Sequence, residues 1–264
     1  MREVLVKRRH VIYVHGYDPQ GPTGYYRLFK KEWKKFKTTW SVNSDLSDLQ
    51  IESNDFAQWN ITTSAPNWTV ATRYDFLRYE DVLNANLSEP LYRQIPRALH
   101  WLIDDLVSGA TYRIIRAAWR FWIHLFGLQL GLLIWLALAV IAGWLGGRIA
   151  LAVFPGAPWL GLLAGVAVAI GCFYALRPIA ERTFIIRVNN CWPYLREFGR
   201  GAAPCFDRPI EAAAGRLVEA VAANDVDEIV VVAHSAGGPL APAILEKALS
   251  LDPELGRVVH PLSC

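Results

Sequence analysis

Short apolar runs and amphipathic stretches alternate at both ends of this chain, and a long uncharged block separates them. Val11 to Val14 is a short β-branched run that ends in His15-Gly16 and a turn at Asp18-Pro19, the pattern of a buried strand. The stretch Tyr25 to Thr38 follows as a predicted helix. Phe29, Trp33, Phe36 and Trp40 form its apolar face, and Lys30, Lys31, Lys34, Lys35 and Lys37 lie mostly on the others. That basic face is a solvated surface or a contact for anionic headgroups. Residues 41–67 are polar and aromatic with weak alternation, and Trp68 to Leu77 reads as a strand. A single long helix is predicted from Leu91 to Trp119, and an Ala-rich one from Glu211 to Ala223. Ile229 to Ala233 is a second buried strand, Pro239 to Ser250 a helix, and Val258-Val259 the start of another strand.

The uncharged block changes the picture from soluble to membrane-bound. No Asp, Glu, Lys or Arg occurs from Phe121 to Gly147, and Leu125 to Leu145 is long enough to cross hydrocarbon as a helix. A second uncharged run, Trp159 to Leu176, follows a short connection carrying only Arg148. Arg113, Arg116 and Arg120 precede the first run, and Arg177, Arg182 and Arg187 follow the second. Lys and Arg mark the cytoplasmic side, so the pattern predicts two spans in the inner or plasma membrane with both flanks cytoplasmic. Met1 to His10 lacks the apolar region of a signal peptide. The expected divisions are 1–118, a hairpin over 119–178, and 179–264.

Composition narrows the chemistry. A net charge of +3 is too small to point to nucleic acid, and neither a phosphate-cradling loop nor a basic aromatic constellation is present. Cys172, Cys191, Cys205 and Cys264 lack metal-ligand spacing. No metal and no cofactor is therefore expected, and no residue pattern sets an oligomeric state.

The chemistry-bearing stretch is Ala233-His234-Ser235-Ala236-Gly237-Gly238, between a predicted strand and a predicted helix. It is the Gly-x-Ser-x-Gly pattern with Ala at its first position. A sharp strand-to-helix turn strains the central serine, and small residues on either side let the two elements pass closely. Ser235 would then stand at a helix N-terminus, where developing negative charge is stabilised. Together with His15-Gly16 at the end of an earlier strand, these motifs resemble the α/β-hydrolase superfamily, in particular its lipase and esterase branch. The resemblance covers roughly residues 1–100 and 180–264. It implies Ser235 as nucleophile and an oxyanion hole from the backbone N–H groups of Gly16 or Tyr17 and of Ala236. His15, His234, Gly237 and Gly238 would support the elbow, with His234 turned away from Ser235.

The resemblance also implies an acid and a histidine after the nucleophile. Only Asp252, Glu254 and His260 follow Ser235, none at a fitting place. Two explanations are open: a chain cut short, which the pattern favours, with the base outside it, or a degenerate member used as a scaffold. The expected fold class is α/β: an α/β-hydrolase-like, mostly parallel sheet with flanking helices, interrupted by a two-helix transmembrane hairpin and incomplete at its C-terminus. The expected function is a membrane-anchored serine hydrolase acting on an ester or lipid-like small molecule, with the lipid bilayer as partner. The alternative is a non-catalytic, membrane-bound binding module.

Overall fold

The computed structural model describes residues 6–263. It divides the chain into a sheet unit, made of the segments up to Ser88 and from Glu197, and a helical unit, Glu89–Arg196. The sheet unit begins with β1 (Arg8–Val14), α1 (Gly21–Trp40), β2 (Asn43–Leu46), β3 (Gln50–Ile51), β4 (Phe56–Ala65), β5 (Trp68–Leu77) and α2 (Glu80–Leu87). The helical unit holds α3 (Leu91–Val107), α4 (Ala110–Val153), α5 (Pro158–Arg182) and most of α6 (Ile185–Gly199). The chain returns to the sheet unit with α7 (Asp207–Ala223), β6 (Glu228–Ala233), α8 (Leu240–Leu251) and β7 (Val259–Ser263).

The fold class is α/β. The sheet has the order β2-β4-β5-β1-β6-β7, with β3 also paired to β4. Strands β5, β1, β6 and β7 run parallel, while β4 is antiparallel to β5, β2 and β3. The apolar run of β1 sits at the centre, with Ile12 and Val14 fully buried. Helix α1 covers one face through Tyr25, Tyr26 and Phe29, which pack on Ala57, Trp59 and Phe76. Trp59 and Tyr74 are opposite each other in register and stack with centroids 4.5 Å apart, a cross-strand pair that fixes the β4–β5 hairpin.

Helix α7 covers the other face with the small side chains Ala213 and Ala214 and with Leu217. From α7, Arg216 reaches the fully buried Asp75, donating to Oδ2 at 3.2 Å. Asp75 also meets His10 Nε2 at 2.9 Å and accepts from Arg73 Nε at 2.9 Å. Burial pushes the Asp75 carboxyl up, but the hydrogen bonds and charges of His10 and Arg73 outweigh it, and the net shift is downward. A buried carboxylate is tolerable only with such partners, and removing one of them leaves an uncompensated charge.

In the helical unit, α4 and α5 are each long and apolar enough to cross a membrane. Their packing is built on small residues. A Cβ at Gly143 would lie 2.7 Å from Gly165 O, and one at Gly147 would lie 2.9 Å from Gly161 O. Close backbone approach through glycines four residues apart is how helices associate in lipid, where packing replaces the hydrophobic drive. Trp135 stacks on Phe173 with centroids 4.5 Å apart and donates to its carbonyl.

The predicted helix from Leu91 to Trp119 is broken at Gly109, whose φ is +71°, and α4 kinks at Ala118. The two units divide at 88/89 and 196/197. Helices α3 and α6 pack with the hairpin: Ala98 joins Leu132, Trp135 and Ala180 in one core, with Ile185 and Ile186 against it. Asn189 Nδ2 donates to Leu128 O at 3.1 Å, Asn190 donates to Gln94, and Arg196 pairs with Asp104 at 2.7 Å. These are polar contacts between single residues and leave no period in the sequence.

Candidate functional site

Strand β1 lies between β5 and β6, and the connections leaving β1 and β6 depart to opposite sides of the sheet. Crevices at such switch points, outside the carboxyl ends of parallel strands, are where open α/β sheets bind ligands. Ser235 and Gly16 both sit at this place.

The turn from β6 into α8 is built as the small residues predict. His234 is extended, with φ −114° and ψ 130°, and its N–H donates to Val14 O at 3.0 Å. Ser235 then takes φ +53°. A non-glycine residue in that region costs about 1–2 kcal/mol, which the turn imposes on this side chain. Gly237 N donates to His234 O and Gly238 N to Ser235 O, both at 2.9 Å, closing a single tight turn. A Cβ at Gly237 would lie 2.5 Å from the carbonyl oxygens of Val14 and His15, so only glycine fits against the end of β1. Ser235 is exposed, and Ala236 beside it is buried.

Opposite the serine stands the loop after β1. A Cβ on Gly16 would lie 3.1 Å from Ser235 Cβ, so the two backbones meet with only a hydrogen between them. Gly16 O accepts from His15 Nδ1 at 2.7 Å and from Asp18 N at 2.8 Å. Because the peptide is planar and trans, the N–H of Tyr17 is directed to the opposite side. The N–H groups of Gly16 and Ala236 make no backbone hydrogen bond among the described residues. Asp18 accepts from Gln20 N and Nε2, at 3.3 and 3.0 Å, the turn role expected of it.

His15 is fully buried and lies between parallel aromatic rings, Tyr79 at 3.9 Å and Phe76 at 5.0 Å between centroids. Its pKa is lowered to about 4, chiefly by burial. The bond to Gly16 O opposes that shift, and the charge of His234 adds to it. Donation from Nδ1 to a carbonyl assigns the proton to that nitrogen, and Nε2 is buried without a hydrogen-bond partner. His15 is thus a neutral brace for the loop. Two residues with no signature in the sequence complete it: Tyr79, which donates its O–H to His15 O, and Asn86, whose Oδ1 accepts from the Tyr17 hydroxyl.

The remaining imidazoles and carboxylates are placed as follows. His234 is exposed, and its Nδ1 would lie 3.5 Å from a Cβ on Gly16, the same backbone that Ser235 Cβ abuts. The ring therefore folds over Gly16 rather than fully away from the serine. In β7, Ser263 pairs with Ala233 but His260 pairs with Val230. That sets His260 about 10 Å back along the strand from the Ser235 end. Asp252 caps the turn after α8, accepting from Glu254 N at 3.0 Å, and Glu254 pairs with Arg257 at 2.7 Å. No hydrogen bond to the Ser235 hydroxyl occurs among the described residues.

Known proteins add nothing to this geometry. The chain matches no protein-family model, no curated protein and no solved structure.

Proposed function

We propose that the chain is a membrane-anchored serine hydrolase of lipase or esterase type, carried on an α/β-hydrolase-like sheet. The observation that carries the reading is the exposed serine held at φ +53° on a strand-to-helix turn, with Gly16 so close that a Cβ on it would lie 3.1 Å from Ser235 Cβ. A turn that merely caps a helix has no need of a strained serine, nor of a second strand end pressed against it. Ser235 Oγ attacks the carbonyl carbon of an ester. The carbonyl oxygen takes the charge and is held by the N–H groups of Ala236 and of Gly16 or Tyr17. The C–O bond to the alcohol then breaks, the alcohol leaves with the serine's proton, and water frees the acid in the second half-reaction. The arginines flanking the two apolar helices support a cytoplasmic sheet unit.

A second reading, a scaffold or binding module that keeps the elbow without turnover, is favoured by one observation: among the described residues the Ser235 hydroxyl has no base bonded to it. Hydrolysis of a short p-nitrophenyl ester by the chain in lipid nanodiscs separates the two. Turnover that disappears in Ser235→Ala supports the hydrolase. A rate identical in both proteins leaves only the scaffold.

A further inference from the structure

The excess positive charge of this chain sits on one helix of the sheet unit. Helix α1 carries Arg27, Lys30, Lys31, Lys34, Lys35 and Lys37 against Glu32, six cations less one carboxylate, or +5. The whole chain carries +3, so everything outside α1 sums to 3 − 5, or −2. A face serving solubility alone has no need to gather the excess within residues 27–37. Little of this charge is neutralised inside the unit. Lys35 pairs with Glu32 at 2.8 Å, and both side chains are mostly exposed. The ammonium groups of Lys37 and Lys30 lie over the rings of Trp33 and Tyr26, at 4.6 and 5.7 Å. Among the described residues, no ion pair is made by Arg27, Lys31 or Lys34.

Exposed aromatic rings accompany the charge. The buried residues of α1 are Gly21 and Pro22, at its start, whereas Phe36 is 44% and Trp40 68% exposed. Beneath Trp33 and Phe36 an apolar cleft of about 380 Å³ opens against Val11, Ile61 and Tyr74, so the apolar side of the helix continues out to solvent. Just beyond the helix, Asn43 pairs with Ser64, and Trp68 pairs with Ala65. Trp68, 41% exposed, therefore shares one end of the sheet with Trp40. Exposed apolar groups rimmed by charge mark a surface made for a partner. Single-stranded nucleic acid is held in a groove with rings stacked along it. Here the basic face is the convex outside of a helix and the rings gather at its end, which fits a bilayer: ammonium groups on anionic headgroups, indoles at headgroup level. We propose that the outer face and C-terminal end of α1 dock the sheet unit on an anionic lipid bilayer. Neither Ser235 nor the helical unit enters into this.

The test varies the charge of the lipid and reads α1 directly. The full chain, with its cysteines replaced and a nitroxide at Thr39, is reconstituted in phosphatidylcholine nanodiscs. Anionic lipid is then supplied in two ways, as equimolar phosphatidylglycerol within the disc or as added vesicles of the same mixture. In at least one of the two, collision of the nitroxide with a water-soluble nickel complex is expected to fall several-fold. The effect should vanish in about 1 M salt, where charges are screened beyond roughly 3 Å. It should vanish too when Lys30→Gln, Lys31→Gln and Lys34→Gln are combined. As a check free of substitutions, hydrogen exchange of the unmodified chain is expected to slow in residues 30–42, and not in 207–223, when anionic lipid is added. No response to anionic lipid in either form overturns the proposal. An equal response to neutral vesicles does so too, because the lysines then have no part in it. Protection of α1 by a short DNA duplex or an RNA oligonucleotide, but not by anionic vesicles, gives the surface to nucleic acid and overturns it as well.

Discussion

Gly16 and Ser235 meet across the end of the sheet so closely that a methyl group on the first would sit 3.1 Å from Cβ of the second. The contact joins a loop after β1 to a turn after β6, more than two hundred residues apart, and it makes the glycine a determinant of the serine's environment. Gly16→Ala requires its neighbours to give by a few tenths of an ångström. The expected cost in stability is about 1 kcal/mol. The reaction of Ser235 with a fluorophosphonate should slow at least tenfold, and Gly16→Val should abolish it. Thermal unfolding and labelling rate, measured on the same preparations, check both.

The strain at Ser235 makes a prediction of the opposite sign. Glycine adopts φ +53° freely and alanine does not, so Ser235→Gly should be more stable than Ser235→Ala by about 1 kcal/mol. Equal unfolding temperatures for the two variants would show the turn to be unstrained.

His15 predicts a pH dependence. Its folded pKa, about 4, lies below the ordinary imidazole value of 6.5. The unfolded chain therefore binds the proton first as pH falls. The contribution is fully present above pH 6.5 and is lost between pH 6.5 and 4, to a total on the order of 3 kcal/mol. In His15→Phe, which keeps a ring between Tyr79 and Phe76, unfolding free energy should flatten over that window. An unchanged slope would assign the dependence to other groups.

The helical hairpin rests on its glycines. Gly143→Ile drives a side chain into Gly165 O and Ala169, both 2.7 Å from the new Cβ, whereas nothing lies within 4 Å of a Cβ at Gly127. Gly143→Ile should lower the unfolding temperature in detergent by the equivalent of about 1–3 kcal/mol, and Gly127→Ile should leave it nearly unchanged.

Much of the sheet unit is legible in the sequence, because its central strands are nearly pure β-branched runs and its elbow needs small residues at fixed offsets. Val11 to Val14, Ile229 to Ala233 and Gly237 each announce themselves in this way. Strand β4 is harder to see, since Asn60, Thr62 and Ser64 dilute its alternation; its pairing with β5 is set by Trp59 meeting Tyr74. The brace of Tyr79, Asn86 and Phe206 around the site has no periodic signature, because each member acts through one long-range contact. The uncharged block reads directly as apolar helix, yet the register between its two helices depends on which glycines face each other, and it is Gly143 lying against Gly165 that shows it.

The most direct test of the central claim is reaction of the full chain in nanodiscs with a fluorophosphonate, the adduct mapped by peptide mass spectrometry, with and without added imidazole. An oxyanion cradle alone sustains roughly a thousandfold acceleration over water even where a base is missing. The account therefore predicts a slow adduct confined to Ser235, absent from Ser235→Ala and formed faster when imidazole supplies the base. No adduct at Ser235 under either condition would contradict it, and would leave the elbow as part of a scaffold.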